Sequence, residues 1–169
     1  AGLFGMQAPQ DEGGLGLPYT VVSAIGAAFS AANIATNGYA FLTQAAANLI
    51  RETGDEQQKR RYLPAMVDGR WFGTMCLSEP QAGSSLADIR TIAEPLPDGR
   101  YSLRGNKMWI SSGDHEMAEN IVHLVLAKIP GGPAGSKGIS LFIVPRRHVD
   151  ADGRAGARNG VRLLGLNHK

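Results

Sequence analysis

Apolar positions fall at helical spacing in the first third of the chain and at strand spacing afterwards. From about Tyr19 to Asn33, Val22, Ile25, Phe29 and Ala32 recur every three or four residues, which predicts a helix with one apolar stripe. A second helix is predicted from about Gly38 to Glu52, with Phe41, Leu42, Ala45 and Leu49 as its buried face. Gly54 just beyond it suits a left-handed C-cap. Asp55 is placed to cap a third helix, with Gln58 at the reciprocal capping-box position and Glu56, Lys59, Arg60 and Arg61 on the wet side. Pro64 has no N–H to donate and should kink or restart that helix. At Gly69 the texture changes. Trp71–Ser78 is apolar and rich in strand formers, and Thr91–Glu94 and Tyr101–Arg104 flank a Pro97-Asp98-Gly99 turn signal. Lys107–Gly113 alternates like a strand, which would put Trp109 and Ser111 on one face and Ile110 on the other. Ile121–Ile129 and Ile139–Val144 are two further strands joined by a Gly/Pro loop, and Val161–Leu166 is another. Helices followed by strands argue for the α+β class. The expected organisation is an N-terminal helical segment, residues 1–69, followed by an antiparallel β domain, residues 70–169. A sheet read this way has open edges, which points to further chain beyond these residues.

Residues 13–50 carry no charge, so a membrane span has to be considered. A spanning helix needs about 20 mostly apolar residues, and Ser23, Ser30, Asn33, Asn37, Thr43, Gln44 and Asn48 interrupt every such window. The remainder is largely Ala and Gly, so a buried helical pair and no transmembrane segment is the expectation. No basic stretch precedes it, as a secretory signal would require. The 169 residues are 43% hydrophobic and 19% charged, which excludes intrinsic disorder for the bulk of the chain. A net charge of +2 gives no basis for nucleic-acid binding. The charge is uneven: residues 146–169 hold six basic side chains against Asp150 and Asp152, read as a solvated face. The single cysteine, Cys76, excludes an internal disulfide, fits a reducing compartment such as the cytoplasm, and reads as a small buried residue.

Two segments hold candidate chemistry. Met75-Cys-Leu-Ser-Glu-Pro-Gln-Ala-Gly-Ser84 is a strand that ends in polar residues, bends at Pro80 and turns back at Gly83-Ser84. Such a loop gathers backbone amides and two hydroxyls on one rim, suited to a polar ring edge or a phosphate. The residues alone favour an ordinary strand-to-loop corner over a ligand cradle, by about two to one. Lys107-Met-Trp-Ile-Ser-Ser-Gly113 offers an indole and a hydroxyl that could cover a flat heteroaromatic ring, or a core Trp beside a surface Ser. Other patterns carry less. Gly131-Gly-Pro-Ala-Gly-Ser-Lys137 lacks the Gly before Lys and the Ser/Thr after it that a P-loop needs, and Gly13-Gly-Leu-Gly16 has no preceding strand. His115 and His123 are too far apart along a strand to share a metal, so no metal site is expected.

Taken together, the segments resemble the acyl-CoA dehydrogenases, flavoenzymes of fatty-acid β-oxidation. Leu77-Ser-Glu-Pro-Gln-Ala-Gly-Ser84 is similar to the family's Ser/Thr-Glu-Pro … Gly-Ser/Thr pattern, and Trp109-Ile-Ser111 to its Trp/Phe-Ile-Thr/Ser pattern. Pro9-Gln-Asp-Glu-Gly-Gly-Leu-Gly16, Thr53-Gly-Asp-Glu-Gln-Gln-Lys59 and Tyr62-Leu-Pro64 resemble its N-terminal helical part, so the likeness covers nearly the whole chain. Residues 114–127 and 138–145 look most like the larger bacterial branch that includes 3-methylmercaptopropionyl-CoA dehydrogenases. The resemblance implies FAD as cofactor, with Met75, Leu77, Ser78, Gly83, Ser84, Trp109, Ile110 and Ser111 lining it. Leu77 and Ser78 would meet the pyrimidine edge, Ser84 the pyrophosphate or the thioester substrate, Trp109 the ring system and Ser111 the region of flavin N5. Ser85 departs from the family's usual Asp and removes an acceptor from the loop.

The implied reaction converts an acyl-CoA to the 2,3-enoyl-CoA, with hydride passing to flavin N5. The family's base is a Glu of a C-terminal helical domain expected to follow Lys169, so no catalytic residue is expected in this chain, and these residues alone should be inactive. The implied partners are an acyl-CoA, an electron-transfer flavoprotein or similar acceptor, and further copies of the chain in a homo-oligomer. A non-catalytic flavin- or acyl-CoA-binding module and an acyl-CoA oxidase of the same fold are the alternatives.

Overall fold

The computed structural model describes residues 2–166. These form α1 (Tyr19–Thr53), α2 (Glu56–Val67) and seven strands, β1 (Trp71–Cys76), β2 (Ile92–Pro95), β3 (Tyr101–Arg104), β4 (Asn120–Lys128), β5 (Ile139–Pro145), β6 (Arg147–Val149) and β7 (Ala155–Arg158). They divide into two compact units. The first takes the described residues up to Thr74, Ser111–Val122 and those from Pro145 onward, and the second takes Met75–Ile110 and His123–Val144.

In the first unit the two expected helices are the arms of α1. Asn33 has an extended backbone (φ -161°, ψ 98°) that breaks the helix, and its Oδ1 accepts from Thr36 N at 2.9 Å, capping the second arm. The expected buried face of that arm is wrong. Ala40, Thr43, Ala46, Ala47 and Ile50 are buried, whereas Phe41 is 64% exposed. The reason is close packing: a Cβ on Gly73 of β1 would lie 2.6 Å from Ala46 Cβ, and Gly73 N donates to Thr43 Oγ1 at 3.0 Å. Only small side chains permit that approach, so the helix turns its Ala/Thr side to β1, leaving Phe41 exposed and Leu42 and Leu49 half-buried. By length and composition α1 could cross a membrane, with a mean hydropathy of 1.3 over 18 residues. Its second arm is nevertheless tied to the N-terminal segment by polar bonds: Gln44 to Leu3 O, Asn48 to Gln7, and Arg51 to Glu12 at 2.8 Å.

Asp55 and Gln58 form the expected capping box. Gly54 is not left-handed but extended (φ -74°), and glycine is needed there because a Cβ would meet Ile50 O at 2.6 Å. α2 continues through Pro64 without restarting. Pro64 and Arg60 are exposed, so water can satisfy the Arg60 carbonyl that the proline leaves without a donor. Phe4, Phe72, Tyr39 and His115 make an aromatic cluster with ring centroids 4.9 to 5.9 Å apart. β6 and β7 form a hairpin that the pattern missed, closed by Gly153 (φ +76°) and by Asp150 Oδ1, which accepts from Asp152 N and Arg154 N. No strand forms at Val161–Leu166, where Leu163, Leu164 and Leu166 are exposed and nothing among the described residues pairs with them.

The sheet that dominates the second unit has the order β1-β4-β2-β3, with β5 also pairing β4. β4 is buried along most of its length, as an apolar run covered on both faces should be. β2 and β3 pair antiparallel from Ile92↔Arg104 to Pro95↔Tyr101 around the expected turn, where Gly99 has φ +80°. The α+β order holds, but the sheet is mixed rather than wholly antiparallel. β2 runs parallel to β4, with Ile92 opposite Lys128. The β2–β3 hairpin reverses the chain, and residues 105–119 carry it back past β2 to β4, so β4 runs with β2 and against β3.

Candidate functional site

The site is built in the second unit, where the chain leaves β1. Met75, Leu77 and Ser78 are half-buried, and the chain then reverses across Pro80 and Gln81. Glu79 N donates to Ala82 O at 2.8 Å, and Ala82 N returns a bond to Glu79 O at 3.0 Å. The Glu79 side chain, 3% exposed, anchors this turn. Its carboxylate accepts from Lys107 Nζ (2.8 Å), Thr91 Oγ1 (2.5 Å), Thr91 N (3.1 Å), Arg90 N (2.6 Å) and Gln81 Nε2 (2.7 Å). Burial pushes its pKa up. The bonds from Lys107 and Thr91 and the amides of Arg90 and Thr91 outweigh that and hold it at about 2.

Lys107 brings the second candidate segment to the first. Its Nζ donates to Leu77 O at 3.1 Å as well as to Glu79, and Met108 N donates to Ser78 O at 2.9 Å. Residues 75–84 and 107–110 therefore share one wall. The later segment is not the alternating strand expected of it. Once Lys107 and Met108 have bonded to the loop the chain turns sharply, and Trp109 adopts φ +60°. That left-handed conformation is unusual for a bulky residue and costs on the order of 1–3 kcal/mol. Trp109 is also 55% exposed, so the fold holds a strained, outward indole rather than a core one. Ile110 is half-buried and Gly83 and Ser84 are exposed; Ser111, also exposed, opens the 111–122 segment of the first unit. A Cβ at Gly83 would meet no atom within 4 Å.

Sequence reading placed Glu79 and Lys107 within motifs but gave neither a role, and it overlooked Thr91. These residues are 12 to 28 positions apart, and no local periodicity reports a contact at that range. Replacing Trp109 by Gly relieves the strain, and folding stability is expected to stay within about 1 kcal/mol of the unchanged chain despite the loss of a large aromatic. Urea titration checks this, and a loss of about 3 kcal/mol or more would mark Trp109 as a core residue instead.

The profile of the acyl-CoA dehydrogenase N-terminal domain matches residues 1–70, and that of the acyl-CoA dehydrogenase middle domain matches residues 74–166. The chain belongs to the acyl-CoA dehydrogenase family. It is 42% identical to the 3-methylmercaptopropionyl-CoA dehydrogenase of Ruegeria pomeroyi over 95% of its own length and 27% of that protein. It is 45% identical to a butyryl-CoA dehydrogenase of Syntrophomonas wolfei over 76% of its length and 21% of that protein. Among solved structures it resembles an acyl-CoA dehydrogenase complexed with FAD from Bacillus anthracis, with a TM-score of 0.72 and 32% identity over 85% of this chain and 23% of that one. The chain thus spans about a quarter of the length of these family members.

Proposed function

We propose that these residues are the flavin-facing part of an FAD-dependent acyl-CoA dehydrogenase that converts an acyl-CoA thioester to the 2,3-enoyl-CoA, with residues 1–69 belonging to its N-terminal helical domain and 70–169 to its middle β domain. The observation that carries this reading is the joining of the 75–84 loop to the 107–110 segment through Lys107–Leu77, Lys107–Glu79 and Met108–Ser78 bonds, beside an outward Trp109. An exposed indole held in a strained conformation next to a loop of amides and hydroxyls suits a flat ring with a polar edge. FAD, when bound, would supply the two-electron acceptor for the hydride leaving the β carbon, while the α hydrogen leaves as a proton to a base. In this reading Leu77 and Ser78 offer amide and hydroxyl groups to the ring edge, Met75 adds to the same wall, and Trp109 with Ile110 offers apolar cover. Gly83 and Ser84 leave exposed backbone and a hydroxyl for a phosphate or the thioester, and the exposed Ser111 hydroxyl completes the proposed set.

Glu79 is unsuited to remove the α proton. A buried carboxylate with five donors and a pKa of about 2 is a weak base near neutral pH, so in this reading the base comes from outside these residues. Within the first unit, a cleft of about 420 Å³ between the arms of α1 is lined by Tyr19, Val22, Phe41 and Ala45 with Gln44 and Asn48, and it offers room for an acyl group. The reading places the enzyme in the cytoplasm as a homo-oligomer that passes electrons to an electron-transfer flavoprotein or similar acceptor. Purified full-length protein is expected to be yellow and to bleach anaerobically on addition of an acyl-CoA. The 169-residue chain alone is expected to bind FAD weakly and to turn over no substrate. A colourless folded full-length protein that takes up no FAD would refute the proposal.

A further inference from the structure

The joined segments and the outward Trp109 support the flavin reading but leave two things unexplained: why a full ion pair is buried there, and what holds Trp109 in its strained conformation. Both lie on the same few residues. Lys107, whose side chain is 11% exposed, joins Glu79, 3% exposed, at 2.8 Å, and the same Nζ takes up the Leu77 carbonyl. An ion pair this buried offers little net stability over an apolar pair of the same shape, because desolvation of both charges offsets their attraction. What it does provide is direction. The five donors around Glu79 fix its carboxylate, the carboxylate fixes the Lys107 ammonium, and the adjacent Met108 N is set on Ser78 O. Trp109 follows immediately, in a conformation a free chain would leave.

We propose that the Glu79–Lys107 pair is a positioning clamp: it locks the Leu77-Ser78 edge to the Met108-Trp109 turn and so holds Trp109 in its left-handed conformation, ready to receive the ring of the flavin. The inference rests on the flavin reading but assigns a new task to residues outside the proposed flavin-lining set. The clamp orders the wall before the ligand arrives, which lowers the ordering cost of binding.

The test is titration of FAD into full-length protein stripped of its flavin, followed by flavin fluorescence, with thermal unfolding of each apo variant alongside. Lys107→Met, which removes the cation and keeps the stem, is expected to weaken FAD binding by about tenfold or more. Lys107→Arg, which restores the cation, should recover most of that loss. Thr91→Val takes only a hydroxyl from Glu79 and serves as the milder variant should Lys107→Met fail to fold; it is expected to weaken binding by about threefold. FAD affinity unchanged in folded Lys107→Met, or in Thr91→Val where Lys107→Met does not fold, would overturn the clamp while leaving the flavin reading intact. Failure of the unchanged apo protein to take up FAD would overturn both.

Discussion

Replacing Glu79 by Gln is expected to destabilise the chain by about 3 kcal/mol, because it breaks a buried pair from one side only. The Lys107 ammonium would stay buried with Leu77 O as its remaining acceptor, and the new amide would point N–H groups at donors that now meet a carboxylate. The pH dependence supplies an independent check. The folded-state pKa of Glu79 is depressed, so its contribution is fully present above the ordinary value of 4.5 and is lost as pH falls towards about 2. The gap between those values corresponds to roughly 3 kcal/mol. This is the same interaction seen from the proton's side, so the two figures are not to be added. In denaturant titrations from pH 7 to pH 3, the unchanged chain should lose stability steeply below about pH 4.5, and Glu79→Gln should start lower and show a shallower acid limb. Matching acid limbs in the two proteins would remove Glu79 from the acid response.

The contrast between Glu79 and α1 shows what a sequence carries. Reciprocal caps and tight turns are local, so Asp55–Gln58 and the turn at Gly99 could be read from residue types a few positions apart. The two arms of α1 were legible as two helices, about Tyr19–Asn33 and Gly38–Glu52, though not the single break at Asn33 that joins them. Which face each arm buries was not, because periodicity identifies an apolar stripe but not what will cover it. Here Gly73 selects Ala and Thr for the contact, and Phe41 is left outside. The mixed sheet was hidden likewise. Nothing within β2 or β4 states their relative direction; it follows from the β2–β3 reversal and the return through residues 105–119, of which Lys107–Gly113 alternates like a strand in sequence. At the candidate site the motifs located the loop and Trp109 by resemblance. The ion pair that joins them spans 28 residues, and the left-handed Trp109 broke the alternation that had been assumed. The Asp152-Gly153 turn between β6 and β7 was in plain view as a hairpin signal and went unused.

Replacing Arg146 by Met in the first unit should cost about as much as losing the Glu79 carboxylate, about 3–5 kcal/mol. Arg146 is 2% exposed and donates to Asp114 Oδ1 at 3.0 Å, to the His115 carbonyl and to Ala118 O at 3.2 Å. Methionine fills similar space but leaves both carbonyls without that donor, and Arg158 alone facing Asp114, at 3.2 Å. Arg146→Lys keeps the charge but has no planar fork to reach Asp114, Glu116 and the two carbonyls at once, so an intermediate loss is expected. Titration of His115 distinguishes a role in charge from one in packing. Its ring lies edge-on to Tyr39 at 5.2 Å and against Phe72 at 5.1 Å. Burial pushes its pKa below the ordinary 6.5, and the Arg146 charge pushes it further, against the opposing pull of Asp114 and Glu116. A histidine depressed in this way loses stability as pH falls below its ordinary value, because the unfolded chain takes up the proton more readily. In Arg146→Met the second of those causes disappears, so His115 should titrate at a higher pH, and less of the stability should be lost as the pH falls below 6.5. NMR of the imidazole resonances measures this directly. If His115 titrates as in the unchanged protein while stability still falls by several kcal/mol, then Arg146 acts through the bonds it donates to the 114–118 carbonyls and carboxylate, not through its charge on the imidazole.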